Sequence, residues 1–302
     1  MALTPRRAAW LPGLFLLLLS LPAAALRLEG ADGVAVELPG PARRIVTLAP
    51  HLGDGLLALG ARAQVAGVID DHPQRGAHAR SLSGLPVVGD AAGLNYEAVL
   101  ALRPDLVLAW GGGTPQAWID RLRALRLPVL VLESRRLDEL AGETEQLGRL
   151  AGREAAAAAL AATQRAQLAR LGAPAEGPRL RFFYQAWRQP LYSLDGNHLL
   201  SQALARCGAD NILPAGPVPA PLVSPEFVLR ADPDILFFGE SDAAASRAYW
   251  ARFPGLAAVR EARLLALGDP RLTRPGPAML SAMEPVCSQI RIWRKRKGMK
   301  PR

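Results

Sequence analysis

Asn95-Tyr-Glu-Ala-Val-Leu-Ala-Leu-Arg-Pro-Asp-Leu-Val-Leu108 is answered by Ser224-Pro-Glu-Phe-Val-Leu-Arg-Ala-Asp-Pro-Asp-Ile-Leu-Phe237. Each stretch opens on a residue able to cap orphan helix amides, carries glutamate two places later, runs on as helix, and breaks at Pro-Asp. Pro225 is tolerated because it falls in a first turn. Leu106-Val-Leu-Ala-Trp110 and Ile235-Leu-Phe-Phe238 then form near-continuous apolar runs. Apolar strands of this kind, alternating with helices, belong to parallel sheets covered on both faces.

The neighbouring segments extend both copies. Before and after the first come strands at Arg44-Ile-Val-Thr-Leu48, Val65-Ala-Gly-Val68 and Val129-Leu-Val-Leu132, with helices from Leu52 to Leu59 and from Pro115 to Arg126. Around the second come strands at Leu180-Arg-Phe-Phe-Tyr184 and Leu264-Leu-Ala-Leu267, a helix from Leu199 to Cys207 closed near Gly208, and a last helix from Gly276 to Trp293. Pro285 is expected to bend or interrupt that helix, since it lacks an amide donor. The fold class is therefore α/β, with two Rossmann-like lobes built on mainly parallel sheets. Residues 138–171 contain no proline, and Leu140, Thr144, Leu147 and Ala151 mark a one-faced helix. Unbroken, it would reach about 50 Å and bridge the lobes, with Gly148 and Gly152 as weak points. The expected organisation is a signal peptide at 1–25, a first lobe at 26–137, a bridging helix at 138–172, a second lobe at 173–293 and a basic tail at 294–302.

Arg6 and Arg7, the apolar run from Trp10 to Leu21 and the small residues Ala23-Ala24-Ala25 read as a secretory signal. A retained anchor is the alternative, although the run falls short of the ~20 apolar residues a spanning helix wants. No cysteine near the cleavage point offers a lipid attachment site. Removal of residues 1–25 leaves 277 of the 302 residues, enough for two domains, and 50% hydrophobic content permits substantial cores. Much of the formal charge of +9 lies in the last twelve residues. Such a tail could touch nucleic acid or anionic lipid, or be a solvated chain end; no zinc-finger spacing or aromatic-rich basic patch supports nucleic-acid recognition. Cys207 and Cys287 are the two cysteines. In an exported chain an even count favours a disulfide, and nothing beside either completes a thiolate metal site.

No nucleophile elbow, P-loop, zinc-protease or dinucleotide motif is present, so the chain is not expected to be an enzyme. Gly111-Gly112-Gly113 follows a strand and could cradle an anion, but a turn at a cleft edge suits it better, because the lysine and hydroxyl of a phosphate loop are missing. His51 follows a strand, where clefts form in α/β folds; it could reach a metal centre from below, cap a helix or bond to backbone. His72 could serve a metal after Asp70 and Asp71. Trp110 ends its strand with an indole that offers a flat face to a large planar ligand or packs at the lobe boundary. Tyr184, Trp187 and Tyr192 form a second aromatic group, and Asp269 and Arg274 are polar candidates for the same cleft. Glu97 and Glu226 stand where helix dipoles favour acids, or where each lobe presents one charge to a pseudo-symmetric basic partner.

Taken together, these pieces resemble the substrate-binding proteins of bacterial vitamin B12 and iron-complex ABC importers. The resemblance rests on Arg44-Ile-Val-Thr-Leu-Ala-Pro-His51, Gly93-Leu-Asn-Tyr-Glu97, Leu102-Arg-Pro-Asp-Leu-Val-Leu-Ala-Trp110, the long helix, Cys207-Gly-Ala-Asp-Asn-Ile212, Val223-Ser-Pro-Glu226 and Arg274-Pro-Gly-Pro277 with Cys287. It covers residues 40–293 and implies two lobes joined by one rigid helix, a monomer in the periplasm and no catalysis. It further implies cobalamin as cargo, with haem or a ferric siderophore as alternatives, and Trp110 flanking the corrin ring with Asp269 and Arg274 nearby. Glu97 and Glu226 would dock on permease arginines, and Cys207 would pair with Cys287. The chain departs from the pattern at Ala91 and Ala220, where aromatics are expected, and in the short loop Ile69-Asp-Asp-His-Pro73. An exported metal-binding protein or enzyme with an unrecognised site is the alternative of another class.

Overall fold

The computed structural model describes residues 25–70, 82, 84–90, 92–172, 177–239 and 243–298. The signal-like segment at 1–24, His72, His78, Ala91 and the end of the basic tail lie outside them.

Among the described residues, twelve strands and ten α-helices follow in chain order: β1 (Leu26–Glu29), β2 (Ala35–Leu38), β3 (Ile45–Thr47), α1 (Pro50–Ala58), β4 (Val65–Val68), β5 (Gly89–Asp90), β6 (Gly93–Leu94), α2 (Tyr96–Ala101), β7 (Leu106–Trp110), α3 (Gln116–Ala124) and β8 (Val129–Leu132). Then come α4 (Leu140–Ala151), α5 (Glu154–Leu171), β9 (Leu180–Gln185), α6 (Leu199–Cys207), β10 (Ala209–Asn211), α7 (Pro225–Ala231), β11 (Ile235–Gly239), α8 (Ala243–Ala251), α9 (Ala257–Arg260), β12 (Leu264–Leu267) and α10 (Met279–Gly298).

Two four-stranded parallel sheets carry the lobes, ordered β4-β3-β7-β8 and β10-β9-β11-β12. Numbered within its own lobe, each sheet runs second, first, third, fourth, so the lobes share one topology. The repeated stretch does the same work in both. Asp105 accepts hydrogen bonds from the backbone N–H of Arg43 (2.7 Å) and Arg44 (2.9 Å), and Asp234 accepts one from Arg181 N–H at 2.8 Å. In return Arg44 Nε donates to Leu102 O at 2.8 Å and Arg181 Nη1 to Ala231 O at 2.7 Å. The Pro-Asp turn therefore pins the first strand of each sheet to the helix before the third. The caps form as expected: Asn95 Oδ1 accepts from Ala98 N–H at 2.9 Å and Ser224 Oγ from Phe227 N–H at 3.2 Å.

Residues 138–171 are not one helix. α4 ends at Gly152, whose φ of +61° turns the chain where a side chain would be strained, and α5 returns antiparallel. Glu145 and Arg165 meet at 2.8 Å, although a continuous helix would hold them about 30 Å apart. Gly148 lets the two backbones approach, because a Cβ there would collide with that of Ala157. Leu137 and Leu140 pack in the second lobe's core, Leu147, Leu150 and Ala157 in the first lobe's core, and Leu171 again in the second. The chain thus crosses between lobes three times, the first time already by Leu137.

α10 runs unbroken through Pro285, held by the buried face of Met283, Cys287 and Ile290. Cys287 is disulfide-bonded to Cys207, tying α10 to α6. The hairpin β1–β2 has no counterpart among the elements expected from sequence; Ala31 N–H donates to Val131 O at 2.8 Å, so its turn covers the edge strand β8. Among the described residues no helix is long and apolar enough to cross a membrane.

Candidate functional site

Open parallel sheets bind ligands outside the carboxyl ends of their strands, where the strand order reverses. In the first lobe that point lies between β3 and β7, and it holds His51 and Trp110. Their rings meet edge to face, with centroids 5.1 Å apart. Trp110 is anchored through its backbone: its N–H donates to Thr114 Oγ1 at 2.9 Å and its carbonyl accepts from Thr114 N–H at 2.8 Å. Gly112 and Gly113 make room for the indole rather than cradling an anion, since a Cβ at Gly112 would fall 2.8 Å from the ring, while a Cβ at Gly111 would meet the side chain of Glu133.

Trp110 lines a cavity of about 790 Å³ between the lobes. Its other walls come from the loop after β8 (Glu133 to Arg136), the loop after β9 (Leu194 to Gln202, including the start of α6), the loop after β10 (Gly216 to Ala220) and Pro275. A cleft of this size lies toward the upper end of the ~300–1,000 Å³ range of small-molecule sites. The second lobe's wall is organised by Asp195, which is 2% exposed. Its carboxylate accepts from the backbone N–H of Asn197 (3.1 Å), His198 (3.0 Å) and Gly216 (2.9 Å). His198 Nδ1 accepts from Leu200 N–H at 3.1 Å, capping α6. That bond assigns the ring proton to Nε2 and makes His198 a donor in the cleft wall. Burial pushes its pKa down to about 4, with Asp195 opposing, so the ring is neutral at pH 7.

Beneath the cleft, Ser134 Oγ donates to Glu143 Oε2 at 2.8 Å. Burial raises the Glu143 pKa to about 7, against the lowering effect of that bond. Glu133 is held by Arg135, whose Nε donates to Glu133 Oε2 at 2.9 Å.

The sequence-predicted residues do not all converge. His51 is buried, and it lines a separate cavity of about 300 Å³ with Asp54, Arg274 and Met279. Its Nε2 has no hydrogen-bond partner, and burial, then the charge of Arg274, pushes its pKa down to about 3. Asp269 is engaged by Arg271, whose Nε lies 2.8 and 2.9 Å from its two oxygens. Tyr184 belongs to the second lobe's core and is 7% exposed, because β9 turns it inward; it does not line the cleft. Trp187 also lies off the cleft, exposed, with its indole N–H donating to Gln189 O at 3.0 Å. Ala220, where an aromatic was expected, does line the cleft. Asp195, His198, Ser134 and Glu143 were not singled out from sequence. Ser134 alone had a positional signal, as a polar residue just after β8; Glu143 lies within α4, and Asp195 and His198 lie in the long connection between β9 and α6, where nothing in the sequence marks them. Among the described residues, no group of three or more His, Cys, Asp or Glu is placed to hold a metal ion. Glu97 and Glu226 are exposed, each in the second helical position of α2 and α7.

Comparison with known proteins places this geometry. The model of the family described as periplasmic binding protein matches residues 45–266. The vitamin B12-binding protein of Pectobacterium carotovorum subsp. carotovorum is 33% identical over 255 residues, covering 82% of this chain and 88% of that protein. That of Vibrio cholerae serotype O1 is 31% identical over 260 residues, covering 85% and 92%. Among solved structures, the periplasmic vitamin B12-binding protein BtuF of Vibrio cholerae superposes with a TM-score of 0.73 at 30% identity, over 86% of this chain and 99% of that one. The periplasmic haem-binding protein RhuT of Roseiflexus sp. RS-1 shares the fold, with a TM-score of 0.71 at 24% identity over 83% of this chain and 99% of that one.

Proposed function

Since the chain belongs to the periplasmic binding protein family, and so delivers a captured ligand of the cobalamin or metal-complex class to an ABC importer, we propose that its cargo is cobalamin or a close corrinoid. The observation that carries this reading is Trp110, whose backbone is anchored by Thr114 and whose indole packs on His51 in the wall of an interlobe cleft of about 790 Å³. A flat indole face suits a large planar ring, and the relatives that match over most of the chain are vitamin B12-binding proteins. The neutral His198, with its donor at Nε2, suits the amide carbonyls and phosphate at a corrinoid's periphery better than a metal at its centre. His51 lies off the large cleft and gives haem no axial ligand there. Glu97 and Glu226 are the docking acids in this reading, one per lobe, meeting basic side chains of the importer's membrane subunit.

Calorimetric titration of residues 26–302 tests the cargo, with cyanocobalamin, haemin and a ferric hydroxamate siderophore as parallel titrants. One-to-one saturation by cyanocobalamin alone is the expected outcome. Saturation by haemin or the siderophore with cyanocobalamin silent overturns the corrinoid assignment and leaves the family's delivery role intact.

A further inference from the structure

Eight large apolar side chains are exposed among the described residues; two lie near Glu97, and three form a row that ends at Leu222, four residues before Glu226. In the first lobe Leu100 lies one helical turn from Glu97, and Val87 adjoins the backbone that pairs with the cap residue Asn95 (Asn95 N–H to Val88 O, 2.8 Å). The second lobe carries the larger group. Trp187 pairs with Tyr192 and Tyr192 with Leu222 across antiparallel bridges, which puts the three side chains in a row on one face. They are 60%, 38% and 65% exposed.

This row is held rigidly. Leu191 and Val223, the alternate residues, point inward and pack in the core with Phe183 and Trp250. Val223 N–H donates to Leu191 O at 2.9 Å and Tyr192 N–H to Trp187 O at 3.0 Å. Beside the row lies a groove of about 640 Å³ that continues through Leu222 to Pro225, the residue before Glu226. None of the three side chains lines the ligand cleft. A contiguous, rigid apolar patch in water marks an interaction surface. Its occupant follows from what the chain carries next: Glu226 follows Pro225 at the end of the groove, whose other end holds Arg188, so a partner cationic at Glu226 meets an apolar surface alongside.

We propose that Trp187, Tyr192 and Leu222 form an apolar anchor for the importer's membrane subunit, adjoining the charge contact at Glu226. The inference rests on the docking role of the two acids. It makes the two lobes unequal in docking, with a small aliphatic contact around Glu97 and an aromatic one around Glu226.

The test is Trp187→Ser combined with Leu222→Ser, read by three measurements: cyanocobalamin titration, binding to the cognate importer in lipid nanodiscs at low and high salt, and light scattering. The expected result is an unchanged cyanocobalamin dissociation constant and importer affinity lowered about 10-fold or more at both salt concentrations. Glu97→Ala with Glu226→Ala should instead lose importer affinity chiefly at low salt, where charge attraction is least screened. Full importer affinity in the serine variant overturns the anchor. So does a cyanocobalamin affinity lowered in proportion, which would assign the row to the ligand site, or a wild-type dimer that the variant abolishes. Wild-type importer affinity in the acid variant defeats the docking reading itself, separately from the anchor. Should the double variant fail to fold, Leu222→Gln alone is held to the same outcomes.

Discussion

The two lobes share strand order, Pro-Asp pin, capping residue and first-turn glutamate, and they differ in what they hang on that frame. The first ends its third strand in Trp110, set against three glycines, and turns His51 under it. The second ends its third strand at Gly239, carries an apolar row beside its glutamate, and is closed by Cys207–Cys287. What is common serves folding and, in the proposed reading, presents one acid per lobe to the importer. In the proposed reading the differences divide three ways: Trp110 for the cargo, the apolar row for the importer and the disulfide for the stability of the second lobe.

The disulfide offers the largest test of that inequality. Replacing Cys207 and Cys287 by serine opens a crosslink spanning 80 residues, and the second lobe should lose about 4–5 kcal/mol on the chain-entropy model. Denaturant unfolding followed by circular dichroism and intrinsic fluorescence checks this, and a loss below about 1 kcal/mol would mean α6 and α10 hold each other without it.

The acids should behave as equals. Glu97→Ala and Glu226→Ala together are expected to cut labelled cyanocobalamin uptake by about 30-fold or more, since truncating one partner of an interfacial charge pair costs about 2–5 kcal/mol. Each single variant should give a similar partial loss. If one acid carries the whole effect, the lobes dock unequally in charge as well as in apolar surface.

Trp110 should have no equal. Trp110→Ala is expected to weaken cyanocobalamin binding by roughly 1–3 kcal/mol, by analogy with stacking on nucleobases. Ala220→Trp should tighten it by supplying the second lobe with an indole on the same cleft. An unchanged dissociation constant in both makes Trp110 a packing residue of the lobe boundary.

The pH dependence is a smaller effect that draws on both lobes. His51 and His198 are held down to about 3 and about 4, below the ordinary 6.5. Unfolding lets each take a proton, so their contribution is complete above pH 6.5 and falls as pH drops toward 4, by about 1.4 kcal/mol per unit each. Glu143, raised to about 7 from 4.5, acts oppositely and loses stability as pH rises between those values. Two rising contributions and one falling leave a net gain of about 1.4 kcal/mol per unit from pH 4.5 to 6.5, with the optimum near 6.5. Glu143→Gln should roughly double that slope in calorimetric melts, and an unchanged slope would show that Glu143 is ionised in the folded protein.

The repeated stretch made most of the fold legible, because capping residues, Pro-Asp breaks and apolar strand runs act locally. The hairpin of α4 and α5 was harder to read. Gly148 and Gly152 were visible as weak points, but whether a glycine merely softens a helix or reverses it depends on what the returning segment can pack against, here Ala157 on Gly148. Trp110 was legible from its place at a strand end. Tyr184 and Trp187 were not: Phe182 to Gln185 are all buried in a sheet covered on both faces, Trp187 is exposed just beyond the strand, and neither composition nor motif tells which aromatic faces a cleft. Asp195 organises a loop through three backbone amides, a role that its neighbours in sequence do not announce.

The three crossings between lobes carry a mechanical consequence. A single rod lets two bodies twist about its axis, whereas two antiparallel rods and a third strand of chain resist torsion and leave only a stiff, shallow flex. Cargo should then dock into a shape that hardly changes, and small-angle scattering curves of the empty and cobalamin-loaded protein should overlay; a shift in radius of gyration of more than about 1 Å, for a fold this compact, would mean the hinge yields. With so little spring in the join, any opening of the lobes would have to be driven from outside the protein.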